Sequence, residues 1–480
     1  MHLAIRLVNR PTSKRSSVTQ RMRKLLVLSV GLMVPPYESV SAQTNERVYE
    51  SYDFRFVTPG ARAVAMGRAF TGLADDATAA FTNPAGLSNL LLAELSIEGV
   101  GTDIRNHRIV TLDDSFQDFT TRPFGEFVST LSFASAVLPV GDFTISGFFR
   151  KLQKYEERFT NGDIEPYRNR PDALRGELNL NANEWGVGLS YLATPQFSVG
   201  GSAVLTHTEV DVFSGSGNLR DNGADTVGTS VRPSGIVGIQ WKVSKRFWVG
   251  ASYYTGSAHV FEQTLRGPFT RRALVDGDPS NDREAFVAPR GFTCPGPVEN
   301  RDSDRPDTVD LTGCTASLDY MIPGRITSGV AWKPSPSWTA VADVGWINYS
   351  SVITENFRLV PFNDPREGFT PDLYSVNDVI EFHAGVEHVV FGETVAWAIR
   401  AGFFTDPDHS IRFSGLDPDP AKNSPTRMEQ ARRFNALERS THAGGTMGLG
   451  FAFGDGIQFD VAASFTRESY DFVFSTVLRP

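Results

Sequence analysis

The stretch "IEFHAGVEH" places an imidazole, His383, between two carboxylates, Glu381 and Glu387, at even spacings. On a strand those three positions share one face. Two acids and a histidine on one surface could serve general acid–base chemistry or hold a metal; they are also what a polar wall looks like. A hydrolase needs a nucleophile, a base and an orienting acid within reach, and the cluster around His383 is read as a polar wall rather than as such a site. The Gly-Ser-Gly at 215–217 is too short to cradle a nucleotide. The two cysteines, Cys294 and Cys314, lie in a stretch rich in Pro, Asp and Arg. Two thiols cannot by themselves make a four-ligand zinc site. In an oxidising compartment they either close a loop disulfide or remain as thiols. No catalytic residue, metal or cofactor is therefore expected, and an outer-membrane hydrolase is kept only as an alternative.

The elements that must position these residues are strands. In "EWGVGLSY", Trp185, Val187, Leu189 and Tyr191 alternate with Glu184, Gly186, Gly188 and Ser190. "IQFDVAASF" repeats the pattern from Ile457 to Phe465. The second face is small and polar, which does not suit a sandwich that buries bulk against a partner sheet. In "SWTAVADVGWINYSS", Trp338 and Trp346 fall on one face, spaced by roughly 20 Å along the axis of a tilted barrel. An apolar band edged by aromatic girdles is what a transmembrane barrel shows to lipid.

Fourteen strands are expected, near 92–104, 125–138, 142–155, 178–193, 197–212, 229–243, 247–262, 318–333, 338–353, 378–390, 395–405, 441–453, 457–467 and 470–478. Tight turns ("PVGD", "TPQ", "SKR", "PSPS", "GE", "GDG") alternate with longer polar loops. The fold class expected is all-β: a 14-stranded antiparallel transmembrane β-barrel with an N-terminal hatch in the lumen. Glycines at 186, 188, 448 and 450 fall on inward positions, where they relieve curvature or let a plug approach.

Composition agrees. The chain of 480 residues has 43 Gly, 35 Phe and a formal net charge of −9. No run approaches the ~20 apolar residues of a spanning helix, and an acidic chain argues against nucleic acid as a partner. "RMRKLLVLSVGLMVPPYESVSA" reads as a secretory signal, with Met22 a candidate start and a mature chain beginning near Gln43. The domains expected are residues 1–42 (extension and signal), 43–90 (hatch) and 91–480 (barrel).

Residues 67–90, "GRAFTGLADDATAAFTNPAGLSNL", suit neither a strand nor a surface helix. A lumen fourteen strands wide cannot be filled by its own side chains, and this small-residue segment is placed to stopper it. With the upstream "GARAVAM", its Asp75 and Asp76 and its Asn83-Pro84-Ala85, it resembles the hatch of the FadL/TodX transporters of long-chain fatty acids and hydrocarbons. Residues 321–351 and 397–408 are similar to the same family. PorV-like barrels that serve protein secretion carry a related hatch, so a secretion scaffold is the second alternative.

The resemblance implies a Gram-negative outer-membrane channel, monomeric, in contact with lipid and lipopolysaccharide, that passes a hydrophobic ligand without energy input. It also implies capture among outer loops, a pocket against the hatch, and sideways exit beside a kinked third strand. Here that strand reads "DFTISGFFRKLQKYEERF", with Gly147 the candidate kink. Phe148 and Arg150 face inward by alternation, as do Arg400 and Phe404 of "VAWAIRAGFF"; these four are the candidate ligand contacts. An inward arginine can meet a carboxylate ligand or a lumen acid such as Asp460, Glu381 or Glu387. The loop near 263–317 departs from a capture groove, with few apolar residues beyond Phe286, Val287 and Phe292.

Overall fold

The computed structural model describes residues 58–111, 119–160, 174–216, 223–266, 268–270, 293–295, 308–310, 312–354, 371–423, 427–428, 431, 434–435, 441–454, 456–467 and 469–480. The expected signal segment, residues 43–57 of the expected hatch, and Phe286, Val287 and Phe292 lie outside the described residues.

Twenty strands follow in chain order. They are β1 (Glu94–Thr111), β2 (Phe119–Val140), β3 (Phe143–Thr160), β4 (Leu174–Thr194), β5 (Phe197–Ser216), β6 (Gly223–Ser244), β7 (Phe247–Tyr254), β8 (Ser257–Arg266), β9 (Pro268–Thr270) and β10 (Thr308–Asp310). The rest are β11 (Thr315–Ile322), β12 (Arg325–Ser335), β13 (Trp338–Ile347), β14 (Tyr374–Ser375), β15 (Val379–Phe391), β16 (Val395–Asp406), β17 (Arg412–Phe413), β18 (His442–Phe453), β19 (Ile457–Phe465) and β20 (Ser469–Leu478). Sixteen of them form one antiparallel sheet, which β6–β7 pairing closes into a cylinder. β7 with β8, and β11 with β12, are each one stave with a break, so the barrel has fourteen staves. The pairs β9–β10 and β14–β17 lie outside the main sheet.

Closure follows from the solvent. Backbone groups in lipid need internal partners, and only a sheet without edges supplies them all. The alternation then sorts side chains: along β13, Trp338 and Trp346 are 47% and 37% exposed, while Thr339, Val341 and Asp343 between them are buried. Trp185, Val187, Leu189 and Tyr191 are likewise exposed, and Glu184 and Ser190 are buried. The aromatic rows thus face outward.

Four features differ from the sequence expectation. The outer ends of the first strands run further, to Thr111 in β1 and from Phe119 in β2, because pairing continues beyond the band in which apolar residues alternate. β13 stops at Ile347, and residues 349–352 wind into a short 3₁₀ turn instead of extending the strand to 353. The stave expected at 247–262 breaks at Thr255-Gly256, where Gly256 has φ +70. Its neighbour breaks at Pro323-Gly324, a proline having no N–H for the ladder.

Residues 58–90 pack inside this cylinder with little regular structure: a five-residue helix α1 (Ala61–Ala65), a four-residue helix α2 (Ala79–Thr82) and a 3₁₀ turn (Pro84–Asn89). Wall glycines mark where its backbone touches the barrel. A Cβ on Gly200 would strike Pro84 and Ala85; on Gly250, Thr71; on Gly385, Met66; on Gly402, Gly67; on Gly448, Ala65. Each approach would be closer than 3.0 Å. Gly67 answers from the other side, pressed against the backbone of Ala384 and Phe403 at φ +69. Of the four inward glycines noted in the sequence, Gly448 makes room for this segment, whereas Gly186 makes room for the Phe148 ring and Gly450 for Arg400 and Asp460. Gly188 faces the Ser146 and Ser202 hydroxyls, with Leu87 of the lumen segment at van der Waals distance.

Alanine at Gly402 or Gly385 should therefore lower stability by about 1–3 kcal/mol, the usual range for overpacking, and raise leak conductance in planar bilayers. Gly147→Ala, which meets nothing within 4 Å, should change neither. Equal melting and conductance across the three variants would count against the close-approach account.

Candidate functional site

A buried segment with only short helices and turns must find partners elsewhere for the amides and carbonyls these leave over. The wall's inward side chains provide them. Asp343 accepts from the amides of Phe70 (2.9 Å) and Thr71 (2.8 Å), Glu98 from that of Gly60 (2.6 Å), and Glu94 from that of Ala77 (3.0 Å). Gln240 donates to the carbonyls of Gly72 and Leu73, both at 3.0 Å. Ser198 and Ser190 donate to the Ala85 carbonyl at 2.9 and 3.1 Å, and Ser202 to that of Ala80 at 2.8 Å. Thr446 does both, accepting from Gly67 and donating to Ala65.

The Asn83-Pro84-Ala85 motif has a mechanical reading. Asn83 is fully buried and caps the 3₁₀ turn by accepting from the Ala85 amide (3.2 Å), with Pro84 at the position where its missing N–H costs nothing. Its Nδ2 donates to Thr71 within the segment and to Ile239 of the wall, each at 3.0 Å. One side chain thus ties three pieces of backbone together.

Charges also fix the segment to the wall. Arg62 donates to Glu387 and to Asp75 (2.7 Å), and Lys333 of β12 reaches Asp75 at 3.1 Å. Arg400 bridges Glu387 and Asp460, both at 2.7 Å, so its charge is spent between wall acids. Arg68 pairs with Asp471 and lies 4.2 Å over the Phe404 ring. His383 is hydrogen-bonded to the Gly67 carbonyl (2.9 Å) and to Glu381 (3.2 Å). The imidazole and two acids of the opening stretch thus hold the segment in place rather than surrounding a free surface. Arg400 and Phe404, two of the expected ligand contacts, belong to this seal.

Phe148 and Arg150 lie elsewhere, in an apolar cluster that begins on the lumen segment at Ala80 and Leu87, with Phe81 packed against it. It continues outward through Phe133, Phe148, Ile236, Phe261, Leu318 and Tyr320. Arg150, 3% exposed, donates from Nε to Glu184 (2.7 Å), which also accepts from Tyr254 (2.6 Å). Its guanidinium sits 3.8 Å over the Phe81 ring, a cation–π contact, and its Nη2 is buried without a hydrogen-bond partner among the described residues. Sequence alternation placed Arg150 inward but could not separate it from Arg400; only the acids around each do that.

The wall beside this cluster is open along one seam. β2 and β3 pair from Val140↔Phe143 up to Phe133↔Arg150 and no further, although β2 continues to pair with β1 and β3 with β4. The irregularity in β3 is a register shift between Lys151 and Gln153, with Leu152 packed against the apolar cluster. The expected kink at Gly147 is corrected: that residue sits in unbroken pairing with Ala136 and Val187. A bulge needs an extra residue in the ladder rather than a glycine. Past it, Gln153 accepts a 2.6 Å hydrogen bond from Tyr320 of β11. Cys294 and Cys314 are joined in a disulfide, and Thr293 and Thr315 beside them exchange two backbone hydrogen bonds.

The molecule is thus an antiparallel barrel stoppered by its own early residues, with a buried apolar cluster above the stopper and an unpaired seam beside it. Solved structures share this architecture. A FadL homologue from Pseudomonas aeruginosa superposes with a TM-score of 0.57 at 15% identity, covering 88% of this chain and 98% of the other. The toluene transporter TbuX of Ralstonia pickettii gives 0.54 at 14% identity, covering 89% and 99%. The toluene transporter TodX of P. putida gives 0.51 at 14% identity, covering 88% and 99%. At such identities the likeness is one of fold, and the fold is that of the FadL/TodX transporters. No protein-family model matches the sequence, and no curated protein does.

In the lumen segment, burial pushes the Asp76 carboxyl up from 3.8 to about 6, with Arg62 opposing and Asp75 and Glu94 assisting. Burial also pushes its neighbour Asp75 up, but Arg62 and then Lys333 outweigh it and leave that carboxyl below its ordinary range. The folded state therefore keeps a proton on Asp76 that the unfolded chain has released, so this group's contribution to stability falls as pH rises from about 4 to 6. Asp76→Asn, which retains the acceptor for Thr78, should raise the melting temperature near pH 7.5, by at most about 3 kcal/mol of stability. The gain should vanish near pH 3.5, where Asp76 is protonated folded or unfolded. A variant less stable than the parent at neutral pH would refute this.

Proposed function

We infer that the protein is an outer-membrane channel that lets neutral apolar small molecules diffuse into a Gram-negative cell through the chamber above the hatch. The observation that carries this reading is the continuous apolar cluster from Leu87 to Tyr320 inside a barrel whose interior would otherwise be polar. A protein-secretion scaffold has no use for such a lining. The fold it shares with transporters of toluene supports the same reading. The opened seam between β2 and β3 gives such a molecule a route into the bilayer, where each buried CH₂ gains about 0.8 kcal/mol. Entry needs no pump.

Charge balance narrows the substrate. Arg150 and Glu184 already neutralise each other in the chamber, and an ionised carboxylate entering beside them would add an uncompensated buried charge, which is strongly disfavoured. The chamber therefore favours hydrocarbons and other neutral molecules over fatty acid anions. The unpartnered Arg150 Nη2 is left to a neutral acceptor.

Cells expressing the full chain should take up radiolabelled toluene and dodecane faster than empty-vector cells and show little gain with oleate. Glu184→Gln leaves Arg150 as a lone buried cation and should shift preference toward oleate; Arg150→Met/Glu184→Gln should remove that shift. Hydrocarbon uptake no faster than in empty-vector cells would sink the reading. A parent that prefers oleate would reverse the substrate assignment.

A further inference from the structure

The barrel wall is unzipped a second time, on the far side of the β3–β6 panel. β6 pairs with β7 from Ser244↔Phe247 up to Ile236↔Tyr254, and with β8 only at the rim, from Thr226↔Gln263 to Gly223↔Arg266. Beyond a last backbone bond from the Thr255 amide to the Gly235 carbonyl (3.0 Å), residues 227–234 of β6 keep their full ladder to β5 but have no ladder partner in 256–262. Elsewhere a barrel in lipid cannot leave an edge open, because each unmatched N–H or C=O costs several kcal/mol. Here the sequence prevents closure. The amide of Gly235 points at Thr255, whose Oγ1 accepts it at 3.0 Å, so by strand alternation Pro233 also faces the seam, where it has no N–H to offer. Opposite it lies the Thr255-Gly256 break, beside that of Pro323-Gly324.

Above the Thr255–Gly235 backbone bond the seam is bridged by a side chain: Arg232 Nε donates to the Ala258 carbonyl at 3.0 Å. Inward of it, His259 Nδ1 and Ser234 Oγ are buried without a well-formed hydrogen bond. The lining is the apolar chamber itself, through Ile236, Tyr254 and Phe261. The outer lips are apolar too, Val231 being 53% and Val260 46% exposed. Height matches membrane rather than solvent. At roughly 2.5 Å of rise per residue on a tilted strand, Gly235 stands about 15 Å above Trp241, and Arg150, where the first seam begins, about 18 Å above Phe143. Tracing the ladder from Arg150 through Glu184 and Thr206 reaches Arg232, inside the unpaired run. Both edges of the β3–β6 panel thus part along one hydrogen-bonded row.

We propose that the seam between β6 and β7–β8, spanned by Arg232, is a second lateral portal through which neutral apolar molecules pass from the chamber to the outer leaflet. The proposal rests on the channel reading above. Two exits from one chamber serve a passive carrier, because flux then does not depend on one gap staying open.

The test uses the full chain in cells, with pairs of introduced cysteines bridged by a flexible, reducible bis-methanethiosulfonate. Both native cysteines are already bonded and do not compete. Val231→Cys/Val260→Cys spans the proposed portal, and Leu131→Cys/Lys151→Cys spans the β2–β3 seam. The initial rate of radiolabelled dodecane uptake is read before and after bridging. The β6–β8 bridge should lower the rate alone, and should lower it further, to the empty-vector rate, when added to the β2–β3 bridge; reductant should restore both losses. The portal is overturned if its bridge leaves the rate unchanged, or if the β2–β3 bridge alone brings uptake to the empty-vector rate. An unbridged protein that moves neither dodecane nor toluene overturns the channel reading and the portal with it.

Discussion

The structure depends on one requirement: the polar backbone groups of residues 58–90 that the segment's short helices and turns leave unpaired must be hydrogen-bonded by the wall. Leaving such groups unmatched costs about 1–3 kcal/mol each, more than a domain of ordinary stability can bear many times over. Most of the unusual choices on the inward face answer that requirement. Asp343, Glu98 and Glu94 accept amides, Gln240 and the serines of β4 and β5 cover carbonyls, and the glycines at 200, 250, 385, 402 and 448 let backbone meet backbone. The small residues of the segment itself are the other half of the same fit. Alanines at 61, 63, 65, 77, 79 and 80 are all buried, and larger side chains there would hold the donors and acceptors apart.

The sequence discloses the barrel far better than the site, and the reason is periodicity. Alternation with a period of two survives wherever one face meets lipid, so Trp338 and Trp346 announce both the strand and its outward face. It fades above the apolar band, which is why β1 and β2 run beyond their expected ends. Interruptions are legible only in hindsight. Pro323-Gly324 and Thr255-Gly256 sit within runs that otherwise read as continuous strands, and a bulge at Leu152 has no glycine or proline to announce it.

The lumen arginines show a second limit. Arg150 and Arg400 have the same inward parity, and nothing local distinguishes them. Their difference is set by partners remote in sequence. Arg400 spends its guanidinium on Glu387 and Asp460, with Arg62 completing a network that locks the segment. Arg150 meets one acid, Glu184, and an aromatic face, and keeps Nη2 unengaged. Long-range pairing across a closed sheet decides which charge is structural and which faces the chamber, and that pairing is a property of register, not of motif.

The two seams follow from the same economy of backbone polarity. A closed barrel satisfies every strand edge, so edges left unmatched in the wall need something else to meet them. Along β6 that substitute is Arg232 on Ala258 and the Thr255 hydroxyl on Gly235. Side chains can rotate away from such contacts one at a time, whereas a ladder opens only cooperatively. Along that stretch of β6 the wall is therefore held by individually weak, separable bonds. Below both seams it is held by continuous pairing and by the charged network around Arg62.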